Sequence, residues 1–92
     1  MQDPSKGAGT IQALLERLNN FRLPRALELK ARVDAGGKLN DNDIEFLHRV
    51  FEDAEQARPL IARDPKLKPL VDQLASLYAH ITTKALENER NG

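Results

Sequence analysis

The sequence predicts an all-α fold, a small bundle of about four amphipathic helices behind a flexible N-terminal leader. Three observations carry that expectation. Apolar residues recur at helical spacing from Ile11 to Ala85, and the only β-branched run, Ile81 to Thr83, falls inside such a pattern. Short connectors containing Gly or Pro separate the periodic segments. With 92 residues the chain suits one domain, expected over residues 10–90.

Residues Met1 to Gly9 are polar with Gly and Pro and hold no apolar run, so they read as the leader. Thr10 is the expected cap of helix 1, which runs to about Asn20. On a wheel of about 100° per residue, Ile11, Leu14, Leu15, Leu18 and Phe21 share one arc. Helix 2 is expected from about Leu23 to Ala35, with Pro24 in its first turn, where no amide donor is needed. Gly36-Gly37 ends it by supplying a left-handed residue. Its apolar residues fall in two stripes, Leu23/Leu27/Ala31 and Ala26/Leu29/Val33, which predicts more than one packing neighbour.

Helix 3 opens on the clearest local signal in the chain. Asn40 is a good N-cap, Asp43 three residues on can reach back to it, and Leu39 can staple onto Ile44. A broad apolar face follows from Ile44 to Ala57, and Pro59 should end the helix near Ala57 or Arg58. Asp64-Pro65 reads as cap and first residue of helix 4, which continues to about Asn88 with Leu67, Leu70, Val71, Leu74, Leu77, Tyr78, Ile81 and Ala85 on one side.

Charge and residue types bound the function. The chain has no Cys, which removes disulfides and zinc–thiolate sites and fits a cytoplasmic location. No apolar run approaches the roughly 18 residues of a membrane span, so no membrane partner is expected. Fourteen basic and fourteen acidic residues cancel, but unevenly: residues 1–40 hold seven basic and four acidic, residues 41–92 seven and ten. Two opposed halves can attract each other within the fold or between chains.

Motif by motif, chemistry fails for want of residues. A calcium loop from Arg32 to Asp43 would place Arg32, Asp34, Gly36 and Asp43 at the first, third, fifth and twelfth positions, and a cation and a glycine cannot serve as ligands there. Glu45 and His48 have di-iron spacing, but the second copy is missing, since Leu77 stands three residues before His80. A helix-turn-helix would insert helix 3 into the major groove, yet from Asp41 to Glu55 it carries six acids and one base. Ser76 and His80 lie one turn apart with no orienting acid or oxyanion donor evident, and Gly7-Ala8-Gly9 lacks the remaining residues of a phosphate loop. No enzyme activity and no cofactor are expected.

What remains is surface. Asp41, Glu45, His48, Glu52 and Glu55 form an acidic ridge along helix 3, and Arg25 and Arg32 mark the basic side of helix 2, next to the apolar Leu29 and Val33. These nine residues are the candidate interaction surface of a non-enzymatic protein-interaction module, a regulatory or accessory subunit expected to form a homodimer. Two alternatives stand beside it: nucleic-acid contact through helix 2, disfavoured by the zero net charge, and a divalent metal at His48 with its neighbouring acids.

Overall fold

Pro24 decides how the first half of the chain is built. The computed structural model describes residues 6–91, with side chains from Ile11 onward. Helix α1 spans Lys6–Arg17, a π-helical turn covers Leu18–Arg22, and α2 spans Leu23–Asp34. Arg17 and Leu23, on either side of the turn, keep right-handed helical angles (φ −61°, ψ −49° and φ −62°, ψ −49°), so the three segments form one rod. The expectation of two separate helices is thereby corrected. Pro24 has no amide for the Asn20 carbonyl, and its ring crowds that carbonyl. The helix widens instead of stopping, and the Leu23 amide reaches back five residues to the Leu18 carbonyl.

The extra residue in the turn resets the helical phase. Ile11, Leu14 and Leu18 are buried, and the buried line resumes with Ala26, Leu29 and Val33. Phe21, expected on the inner arc, is instead 68% exposed. Only the second of the two stripes expected on α2 enters the core; Leu27 and Ala31 of the first are exposed. The N-terminal boundary also moves. The helix already runs at Lys6, so Thr10 lies inside α1 and the expected leader is helical over residues 6–9, while residues 1–5 lie outside the described range.

The α2 end follows the glycine reading. Gly36 has φ +95°, its amide donates to the Val33 carbonyl (3.0 Å), and the Gly37 amide donates to the Arg32 carbonyl (2.9 Å). A Cβ on Gly37 would come within 2.7 Å of Arg32 Cγ, so close approach fixes this second glycine. Helix α3 spans Asp41–Ala57 behind the full capping box: the Asp43 amide donates to Asn40 Oδ1 (2.8 Å) and the Asn40 amide to Asp43 Oδ2 (3.0 Å). Pro59 lies in a 3₁₀ turn, Arg58–Leu60. Helix α4 spans Leu67–Asn91, starting two residues later than Asp64-Pro65 suggested. Because Pro69 lacks the amide that would close the first α-turn on Pro65, residues 64–68 close by shorter bonds, Leu67 to Asp64 and Lys68 to Pro65.

The result is three helical rods, all-α among the described residues. Helix α4 packs against both α2 and α3, and α1 with the π-turn packs on α3. Leu18, Leu29, Val33, Leu74 and Ile81 are essentially inaccessible at the centre, each worth about 1.5–3 kcal/mol of burial. Among the described residues no helix is long and apolar enough to cross a membrane.

Candidate functional site

The charged residues of the rod and α3 meet as a ladder on one side of the bundle. Arg22 occupies the line of Leu18 and Ala26, one turn from each, so its guanidinium is drawn toward α3. There Asp53 is buried, with Arg22 Nε at 2.7 Å and Arg17 Nη1 at 3.3 Å. Further along α3, Asp43 is 2% exposed; Arg32 Nη2 lies at 2.9 Å and Arg25 Nη2 at 3.6 Å. Arg25 also lies over the Phe46 ring, 4.6 Å from its centroid. Burial opposes ionisation of Asp43, but the Asn40 amide and the Arg32 and Arg25 guanidiniums outweigh it and hold its carboxyl below the usual value. The basic first half and acidic second half thus attract each other within one chain.

This geometry redistributes the candidate surface. Leu29 and Val33 are 1% and 0% exposed and belong to the core, packed toward α4, so they are withdrawn from it. Arg25 and Arg32 keep exposed edges but share Asp43, so α2 does not present the unpaired basic stripe along which a nucleic-acid backbone would run. Asp41, Glu45, His48, Glu52 and Glu55 do lie together on the outer side of α3 and are exposed. Within that ridge Glu45 pairs with Arg49 (2.7 Å), Glu55 with Arg58 (2.9 Å), and His48 Nε2 sits 3.4 Å from Glu52. Such exposed pairs are worth roughly 0–1 kcal/mol each.

Beside the ridge runs an apolar seam between α3 and α4, which sequence reasoning missed. One groove, of about 420 Å³, is bordered by Leu39, Ile44, Leu47, Tyr78 and Leu86, with His48 and Glu89 at its edges. A second, of about 170 Å³, continues along the same helices past Phe51, Ala54, Leu74 and Tyr78. Ile44 is 55% exposed, Phe51 47% and Leu86 54%, and Phe51 meets Tyr78 with ring centroids 5.8 Å apart. The signal was present as an α3 face broader than one neighbour needs. The Leu39–Ile44 pairing read as a staple also lies here, with Ile44 left open to solvent.

At the far end of α2, two α4 side chains close the helix. Asn88 Nδ2 donates to the Val33 carbonyl (2.9 Å), which also accepts from the Gly36 amide, and to the Gly37 carbonyl (2.8 Å), tying the end of α2 and its turn to α4. His80 Nε2 lies 2.6 Å from Asp34 Oδ1, and this contact, with Lys30, lowers the Asp34 pKa. An acid therefore stands beside His80 that spacing alone did not supply. Among the described residues no hydrogen bond joins Ser76 to His80, and no group of three or more His, Asp or Glu side chains converges as a metal site requires. No known protein family, curated protein or solved structure matches this chain.

Proposed function

We propose that the chain is a non-enzymatic protein-interaction module that self-associates through the α3–α4 seam, as a regulatory or accessory subunit would. The observation that carries this reading is the exposure of Ile44, Phe51 and Leu86 along an apolar seam of two adjoining grooves that meet at Tyr78. Contiguous exposed apolar surface on a soluble chain marks a contact site more often than scattered residues do. Its two rows, Ile44/Leu47/Phe51 on α3 and Tyr78/Ala85/Leu86 on α4, suit an isologous pairing in which each copy covers the other's groove. The acidic ridge then forms a polar rim, which is the usual anatomy of an interface.

Light scattering across a concentration series tests this, comparing the natural chain with Phe51→Glu. The natural chain should pass from one mass to twice that mass, and Phe51→Glu should stay monomeric with unchanged helicity, since Phe51 is half exposed. A natural chain that stays monomeric at high micromolar concentration would refute self-association. Retention of the dimer by Phe51→Glu would move the interface elsewhere.

A further inference from the structure

On the opposite side of α3 lies a different kind of surface. Arg22, Arg25, Asn42, Glu45, Phe46 and Arg49 enclose a polar recess of about 230 Å³, several times the roughly 30 Å³ that a water occupies. We infer that this recess binds a phosphate group, as free phosphate or as the ester of a small metabolite, independently of the α3–α4 seam.

Charge, rigidity and donor supply carry the inference. Five arginines (Arg17, Arg22, Arg25, Arg32 and Arg49) share three carboxylates here, Asp43, Asp53 and Glu45, so the cluster keeps a positive excess. The guanidiniums are held in place before any ligand arrives. Arg22 is fixed through Nε to Asp53, Arg25 is laid on the Phe46 ring, and Arg49 is tied through Nη2 to Glu45. Among the described residues each of these three uses only one nitrogen on its carboxylate partner, which leaves planar donors for a second acceptor. A tetrahedral oxyanion presents several acceptors at once, and arginine forks match it bidentately. Asn42, in the first turn of α3, adds an amide side chain at the positive end of that helix. Glu45 is the one carboxylate in the lining and competes with the ligand for Arg49.

Two exposed substitutions test the site without touching the buried pairs. Arg49 and Glu45 side chains are 57% and 64% exposed, so Arg49→Gln and Glu45→Gln leave the fold intact. Full-length protein is titrated at low ionic strength with inorganic phosphate, glycerol 3-phosphate and succinate, read by calorimetry and by amide shifts. Saturable phosphate binding should shift residues 22, 25, 42 and 49; Arg49→Gln should weaken it about tenfold, and Glu45→Gln should tighten it. Tighter binding of the ester than of inorganic phosphate identifies a metabolite as the source, and the reverse identifies free phosphate. Failure to saturate by about 10 mM, a decade above a millimolar site, overturns the inference. So does equal binding of succinate, or a change in the same direction in both variants.

Discussion

Replacing Asp53 by Asn should destabilise the protein by about 2–3 kcal/mol, although the two side chains have nearly the same shape. Asp53 is 6% exposed and holds two guanidiniums, Arg22 at 2.7 Å and Arg17 at 3.3 Å. The Arg17 side chain is 47% exposed, so its share is that of a surface pair, roughly 0–1 kcal/mol. The Arg22 side chain is only 20% exposed and bonds a charged acceptor, an interaction worth about 1.5–3 kcal/mol. Breaking one side of a fully buried pair costs roughly 3–5 kcal/mol, and the residual exposure of Arg22 places this case below that range. Urea unfolding followed by circular dichroism measures it, with Asp72→Asn as control because the Lys68–Asp72 pair is more than half exposed on both sides. Converting Arg22 to Met in the same chain should recover most of the loss, since an apolar side chain suits the Leu18–Ala26 line. A loss under about 0.5 kcal/mol, no larger than the control, with no coupling between positions 22 and 53, would refute the ladder's role.

Two further outcomes follow from the same contacts. Asn88→Ala removes the donor to the Gly37 carbonyl, while the Val33 carbonyl keeps the Gly36 amide, and should cost about 1 kcal/mol by urea unfolding; a loss near zero would show the clamp to be idle. Acid should weaken the fold through Asp43 and Asp34, whose pKa values are both lowered from 3.8 in the native state. A depressed native carboxylate contributes stability above its unfolded pKa and loses it as pH falls through its native one. The penalty of Asp43→Asn should therefore be full at about pH 6 and shrink below about pH 4, whereas a penalty independent of pH would contradict the assignment.

The local parts of this fold were legible because local chemistry decides them. Asn40 and Asp43 cap α3 through side chains three residues apart, Gly36 is needed at positive φ, and Pro59 lacks the amide that would bond the Glu55 carbonyl and carry α3 onward. Pro24 was ambiguous for a physical reason. The same missing amide permits either a new helix start or a widened turn, and only the packing of Leu18 against the core on one side and Ala26 on the other selects the turn. The phase shift it introduces hid two facts at once: Phe21 faces outward, and Arg22 lies in line with the core.

The candidate site divides in the same way. The exposed ridge from Asp41 to Glu55 follows from helical spacing, and it lies where that spacing puts it. Asp53 could not be told from its neighbours Glu52 and Glu55 by charge; position on the inner face of α3 gives it buried partners. Two apolar stripes on α2 imply two neighbours, but α4 covers only the one that holds Leu29 and Val33, and spacing alone does not say which stripe that is. The α3–α4 seam needs both helices to be seen together, since Ile44 and Leu86 lie far apart in sequence and border one groove.

Pairing of two copies across that seam can be observed directly by paramagnetic relaxation. The chain has no Cys, so Glu89→Cys places one spin label at the rim of the groove, and labelled chain is mixed with natural chain enriched in ¹⁵N. Amides at Ile44, Phe51, Tyr78 and Leu86 of the unlabelled copy should broaden as concentration rises, while those at Leu27 and Ala31 on the outer side of α2 stay sharp. Uniform sharpness at all of these positions, or broadening confined to α2, would contradict the seam as the site of self-association.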